Sequence, residues 1–341
     1  MKKIRRNAIF ILIILVIVLY FVMKDNFNEI VNELWLANKW WIILAVILMF
    51  SYWLLRALSL FLIAKEYKGK LKFSVIFKQI LITQFFNGIT PFATGGEPMQ
   101  VYMLHKNGIR VGNATNIIVQ EFIMYQIALI LIGLSSLIFN FSFNLLTLKP
   151  LHEKLIFLGF FINIAIGLFL IFVSFSKKFS RFVVRCGIKI GTKLKIVKDV
   201  KKTKEDWNER VEEYNESGTM LKENKLLFCK CVLINTLSLV IYYLIPYFVF
   251  LSLGVDLGFM EVFVCSSFIL LIGNFVPLPG GSGGTEYAFS LFFDTFISTG
   301  PIVSSGLIIW RSITYYLGII VGSICLGFFK DSDREKLLEE V

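Results

Sequence analysis

Histidine, paired cysteine and charge are all scarce in this sequence. The only histidines, His105 and His152, lie far apart, and Cys186, Cys229, Cys231, Cys265 and Cys325 form no CxxC pair. That spacing offers neither a zinc site nor a disulfide framework, so no metal and no cofactor are expected. Both histidines fall in loops beside apolar runs, where no Ser, His and Asp can assemble as a triad, and no catalytic residue is expected. No glycine loop follows a strand and ends in Lys-Ser or Lys-Thr, which excludes a nucleotide P-loop, and no base-reading module points to nucleic acid. Charged residues make up only 17% of the chain against 56% hydrophobic, a balance that no soluble core can bury. Lipid must therefore be its solvent.

What the chain has in abundance is long apolar runs. Residues 8–23 (AIFILIILVIVLYFVM) and 155–175 carry no charge over about the length of a hydrocarbon core. The first run follows Lys2, Lys3, Arg5 and Arg6, and no small-residue cleavage site comes after it, so it reads as an uncleaved signal anchor. Full crossings are expected at 8–23, 40–63, 111–139, 155–175, 226–253 and 301–329. Two more apolar segments, 73–104 and 261–296, are broken near their middles by Pro and Gly, which lipid tolerates only where protein or a cavity surrounds the open backbone.

The loops differ sharply in Lys and Arg. Basic stretches at 2–6, 65–72, 105–110, 177–204 and 330–336 are expected in the cytoplasm, and the loops at 25–33, 140–154, 254–261 and 298–301 outside. Both flanks of the first broken segment are basic and both flanks of the second are not, so each should leave on the side where it entered. The expectation is an all-α polytopic protein of the plasma (inner) membrane, with six crossings, two opposed re-entrant hairpins and both termini cytoplasmic. Its single transmembrane domain, 1–341, would hold an inverted repeat of 40–139 and 226–329. The alternative is eight crossings, which strands residues 106–110 on the wrong side.

The basic segment 177–225 lies between the repeats. Phe179, Phe182, Val183, Cys186, Ile190, Leu194 and Val197 recur at helical spacing, and Arg181, Arg185, Lys189 and Lys193 recur every four residues. A surface helix is expected there, its cations over 177–204 facing anionic inner-leaflet lipids. The alternative is a solvated loop.

The broken segments echo each other. Asn87 through Pro91, Gly95-Gly96 and Glu97 share an order with Asn274, Pro277, Gly283-Gly284 and Glu286. Each Gly-Gly pair sits where a loop re-enters a helix, so free N–H groups and a positive dipole end would attract phosphate or carboxylate; alternatively the glycines serve close helix packing. Arg56, Glu121 and Arg311 lie within crossings, where a charge costs about 2.5 to 3.5 kcal/mol on insertion scales and is expected to face a partner or a wet cavity. Glu121 and Arg311 follow their hairpins at similar distances and are expected to pair across the pseudo-axis, with Tyr125 and Tyr315 one turn further on. Thr83, Gln84 and Asn87, with Asn274, Ser282 and Thr285, would line one cavity. Substrate binding and purely structural charge pairing both remain open at this point.

These motifs carry a resemblance. Thr90-Pro91-Phe92-Ala93-Thr94-Gly95-Gly96-Glu97-Pro98 with Tyr102 and Leu104, then residues 277–286 (PLPGGSGGTE), then Arg311-Ser-Ile-Thr-Tyr315-Tyr316 resemble the flippase-like transmembrane family named after the membrane region of lysylphosphatidylglycerol synthase. Many relatives have Glu-Arg where this chain has Gln120-Glu121. The resemblance implies flipping of an anionic or aminoacylated phospholipid, or a polyprenyl-phosphate lipid, between leaflets. It also implies, as the alternative, a phosphatidylglycerol lysyltransferase or its subunit. Bifunctional members carry a cytoplasmic synthase domain, for which residues up to Val341 leave no room, so translocation is expected, with a partner synthase or a homo-oligomer as possible assemblies. With the intramembrane charges and broken loops read as above, the expected substrate-binding set is Arg56, Asn87, Gly95, Gly96, Glu97, Glu121, Tyr125, Asn274, Gly283, Gly284, Glu286, Arg311 and Tyr315.

Overall fold

A computed structural model describes residues 27–68, 71–146, 150–193, 207, 224–273, 276 and 278–328. Among these residues the chain is all helix and turn. The expected crossing at 8–23, Asn274 and most of 194–225 lie outside the described residues.

The helices are α1 Phe27–Leu36, α2 Lys39–Tyr67, α3 Phe73–Ile89, α4 Gly96–Lys106, α5 Val111–Phe143, α6 Pro150–Phe175, α7 Lys177–Lys193, α8 Lys225–Ser252, α9 Phe259–Gly273, α10 Gly284–Phe293, α11 Gly300–Arg311 and α12 Leu317–Gly327. Among the described residues five spans are long and apolar enough to cross a membrane: α2, α5, α6, α8 and the run from α11 through α12. They match five of the six crossings read from the sequence. The last is not uniform, because Ser312–Tyr316 winds as a π turn between α11 and α12. Residues 25–33, expected as a loop, instead contain the start of α1, which buries Ile30 and accepts a bond from Ser305 Oγ at the Ile30 carbonyl (3.4 Å).

Contacts between the spans fix their directions. Arg56 reaches Asn235, Tyr52 meets the Tyr242 ring, Trp41 stacks on Phe248, and the Asn38 N–H donates to the Ser252 carbonyl (2.7 Å). Numbers rise along α2 as they fall along α8, so the two are antiparallel. At one end of the molecule Lys68 Nζ donates to the Asn107 carbonyl, and Tyr67 Oη donates to Asn116 Oδ1 (3.2 Å). The end of α2 therefore sits beside the start of α5, although residues 73–106 lie between them. The α3–α4 segment enters and returns on the same side.

At the opposite end, Ser252 adjoins Asn38 and Ser305 adjoins Ile30, which places the end of α8 and the start of α11 together. The α9–α10 segment thus re-enters from the other side. Two hairpins entering from opposite ends make the inverted plan, and eight crossings would separate residue pairs that touch. The hairpin tips, Pro91–Ala93 and Pro279–Gly281, pack against each other.

Close approach of α12 to α3 rests on glycine. A Cβ on Gly322 would lie 2.6 Å from the Leu81 carbonyl oxygen, and one on Gly318 would lie 3.2 Å from Gln84 Cβ. Such small residues four apart let membrane helices meet at the backbone, where van der Waals contact replaces the hydrophobic effect that lipid cancels. On the other side, Phe250, Phe289, Phe293 and Trp310 form a ring cluster with centroids 4.6 to 5.8 Å apart, seating α10 against α8 and α11. Short α7 follows α6 with its Phe179 ring against Phe169 and Phe172, while Arg181, Arg185 and Lys189 stay exposed.

Candidate functional site

Both tips use the same backbone solution. After Pro91, Phe92 and Ala93 adopt φ of 54° and 53°; after Pro279, Gly280 and Gly281 adopt 63° and 64°. Left-handed conformation in Phe and Ala costs on the order of 1 kcal/mol per residue, so packing must hold the first tip in place, whereas glycine adopts it freely in the second. Gly280 has a further reason, since a Cβ there would lie 2.2 Å from the Tyr315 ring. Tyr315 Oη in turn donates to the Gly88 carbonyl (2.8 Å), tying the π turn after α11 to the first hairpin.

Counting from the tips shifts one register inferred from sequence. Each helix begins five residues after its tip proline, at Gly96 and Gly284, so Glu97 is equivalent to Thr285 and not to Glu286. The extra residue matters. Glu286, in the first turn of α10, accepts from the Gly283 N–H at Oε2 (2.6 Å) and so caps the helix start, whereas Glu97 makes no such bond to the residues before its helix. The Gly95 N–H donates to Thr90 Oγ1 (2.9 Å). Gly95, Gly96, Gly283 and Gly284 line neither of the cavities described next: Gly95 packs against Thr90, Gly96 against Asn87 and Thr83, and Gly284 against Val276, while Gly283 adopts φ of 85°.

Among the described residues the buried charges form two pairs, and neither is Glu121 with Arg311. Arg56 Nη2 lies 3.1 Å from Glu121 Oε2, its Nη1 donates to Asn235 Oδ1 (2.6 Å), and its guanidinium lies over the Tyr125 ring at 4.1 Å. Arg311 Nη2 lies 2.7 Å from Glu286 Oε1, its Nε donates to the same oxygen (2.8 Å), and Nη2 also donates to the Gly280 carbonyl (3.0 Å). Each arginine is captured by the carboxylate nearest in its own half. Arg56 sits near the middle of α2, and Arg311 near the middle of the last span, so both pairs lie deep.

Two adjoining cavities meet these arginines. The larger, about 220 Å³, is lined by Arg311, both hairpin tips and a wall of Tyr52, Tyr125, Tyr242, Trp310 and Tyr315. The smaller, about 80 Å³, is lined by Arg56, Glu97, Glu121, Thr83 and Gln100. Tyr52, Gln84 and Asn87 belong to both walls. Behind the larger cavity's wall Glu286 has both oxygens engaged, while Arg311, which lines the cavity, has no protein partner at Nη1 among the described residues. Donors are in excess there.

Helices, opposed hairpins and paired charges are the context in which the sequence comparison falls. The profile described as the lysylphosphatidylglycerol synthase TM region matches residues 7–322. The chain belongs to this family. Similar proteins include a UPF0104 membrane protein of Archaeoglobus fulgidus, 27% identical over 305 residues that cover 86% of this chain and 87% of that protein. Another is a UPF0104 membrane protein of Methanothermobacter thermautotrophicus, 23% identical over 354 aligned positions covering 98% and 99%. An uncharacterized protein of Mycoplasma pneumoniae is 25% identical over 265 residues, 72% of this chain and 66% of its own.

Against this family background the structure places Arg56, Glu97 and Glu121 on the smaller cavity, Tyr125, Arg311 and Tyr315 on the larger and Asn87 on both, with Glu286 behind Arg311. Four lining or supporting groups escaped the sequence reading. Asn235 was legible, as a lone amide in the apolar run of α8; it is fully buried and also donates to Ser59 Oγ (2.8 Å). Tyr52 precedes Arg56 by one helical turn, the same signal that singled out Tyr125 and Tyr315. Tyr242 and Trp310 gave no signal, since aromatics are everywhere in this chain.

Proposed function

We propose that this membrane protein moves the phosphate-bearing headgroup of an anionic or aminoacylated lipid between leaflets, along the junction of its two hairpins. The observation that carries the reading is the larger cavity: it joins the tips of hairpins entering from opposite ends, and it holds one deeply buried arginine with an unspent nitrogen. A phosphate or phosphodiester there would gain a charge-assisted bond from Arg311, and tyrosine hydroxyls around the wall would supply neutral donors. Acyl or polyprenyl tails would stay in lipid, so only the headgroup needs a polar path.

The basic end of the molecule, with Lys65, Lys68, Lys72, Lys106 and Arg110, would face the cytoplasm by charge bias. The exposed cations of α7 would then rest on anionic inner-leaflet lipid at about 1 kcal/mol each. Segments 40–139 and 226–329 act in this reading as the two halves of an alternating device around a fixed site. The family name, together with the phosphate chemistry of the cavity, favours a glycerophospholipid or polyprenyl phosphate as cargo.

Native mass spectrometry of the purified chain tests this. Retained phosphate-bearing lipid on the wild type, lost on Arg311→Ala and kept on Arg311→Lys, is the expected pattern. Equal retention by all three proteins would overturn it.

A further inference from the structure

The smaller cavity has the opposite electrostatic character to the larger one. Its charged lining is Arg56, Glu97 and Glu121, two carboxylates against one guanidinium. Arg56 is engaged through both terminal nitrogens and over the face of Tyr125. Glu121 is 5% exposed, and only its Oε2 meets Arg56; its buried Oε1 has no hydrogen-bond partner among the described residues. The buried Oδ1 of Asn87 has none either. Leaving such an oxygen dry costs about 1 to 3 kcal/mol, more for a carboxylate, so each calls for a positive or donating neighbour.

The remaining wall also offers oxygen. Thr83 donates its hydroxyl proton to the Gln79 carbonyl (2.8 Å), which leaves its lone pairs facing other groups. Glu97 pairs with no cation among the described residues. From this geometry we infer a binding site for a small monovalent metal cation, with Glu121 Oε1, Asn87 Oδ1 and the Glu97 carboxylate as principal ligands. Oxygen is the donor that hard cations take. A net charge of minus one suits a single positive charge and would leave a divalent ion uncompensated. About 80 Å³ holds one ion with a little water, and no lipid headgroup.

Its placement gives the ion a lever. Thr83 and Asn87 belong to α3, Glu97 to α4 and Glu121 to α5, so an ion there ties both arms of the first hairpin to the following span. Asn87, Gln84 and Tyr52 are shared with the larger cavity, and a cation that draws on Asn87 acts on the wall of the headgroup path. The coupling role rests on the transport reading; the site itself does not.

The test is thermal unfolding of the full chain in detergent, in sodium, potassium or lithium chloride against N-methylglucamine chloride at equal ionic strength and fixed pH. Saturable stabilisation by several degrees with an alkali cation is expected, as for any ligand that binds only the folded state. The rise should vanish in Glu97→Gln and in Asn87→Ala, and Glu97→Gln, which breaks no ion pair, should keep its melting point in the organic cation. Identical melting points in all salts, or a rise that persists in both variants, would each overturn the site. Cation-dependent stability with no lipid movement in vesicles would instead overturn the transport reading and leave the site standing.

Discussion

Arg311 meets Glu286 through two nitrogens and the Gly280 carbonyl through one of them, while Arg56 meets Glu121, Asn235 and Tyr125. Because each is buried, removing one partner leaves an uncompensated charge, a loss of about 3 to 5 kcal/mol where the environment cannot relax. Arg56→Ala is therefore expected to lower the melting point more than Glu97→Gln does. The two pairings also make a sharper test possible. Exchanging charges in Glu121→Arg with Arg311→Glu should not rescue stability, since it breaks two separate pairs, whereas exchange within Arg56→Glu with Glu121→Arg should recover part of the loss. Recovery in the first double variant and none in the second, read by thermal unfolding, would contradict the pairing.

The wrong partner for Glu121 was a natural inference from sequence, because Glu121 and Arg311 do follow their hairpins at similar distances. Sequence spacing reports position along each helix and says nothing of which face is nearest to which neighbour. Arg56 was visible as a costly charge, yet its bond to Glu121 depends on α2 packing beside α5, a tertiary fact.

At the scale of elements, the hairpins depend on how closely their backbones approach. A Cβ on Gly322 would lie 2.6 Å from the Leu81 carbonyl and 2.8 Å from the Phe85 nitrogen, both backbone atoms that cannot turn aside. One on Gly96 would lie 2.1 Å from Asn87 Oδ1 and 2.4 Å from Thr83 Cγ2, side-chain atoms with some freedom. Gly322→Ala is thus expected to destabilise more than Gly96→Ala, each within the roughly 1 to 3 kcal/mol range of overpacking, and Gly327→Ala, with nothing within 4 Å among the described residues, should be neutral. Melting points of the three variants check the order.

The Pro and Gly breaks made both hairpins legible, and the tips lie at those prolines. The register between the two tips was less legible. Matching Glu97 to Glu286 is off by one, because Thr285 is inserted into the motif and only the helix starts, at Gly96 and Gly284, reveal the true equivalence. The π turn at Ser312–Tyr316 left no mark in the sequence, yet it sits between Arg311 and the Tyr315 bond to Gly88. Such turns cluster at functional sites, where an extra residue re-aims side chains.

For the whole molecule, the pattern of Lys and Arg alone anticipated the opposed entry of the two hairpins, since charge bias acts on loops before any tertiary contact forms. It did not anticipate that the tips would touch or that two cavities of opposite character would meet at Tyr52, Gln84 and Asn87. Opposed entry has its own consequence. In a cysteine-free background, Glu66→Cys and Asp256→Cys should react with an impermeant maleimide from opposite faces of the membrane, and Lys72→Cys should react from the same face as Glu66→Cys. Labelling of Glu66→Cys and Asp256→Cys from one face would refute the topology.

The most direct measurement of the central proposal is movement of a headgroup-labelled anionic phospholipid across the bilayer of vesicles holding the purified chain, followed by quenching from outside. Wild-type protein should render nearly all of the label accessible, and Arg311→Ala, reconstituted at equal density and still folded, should leave the inner-leaflet half protected as in empty vesicles. Protection by the wild-type protein equal to that in empty vesicles, or full accessibility with Arg311→Ala, would contradict it.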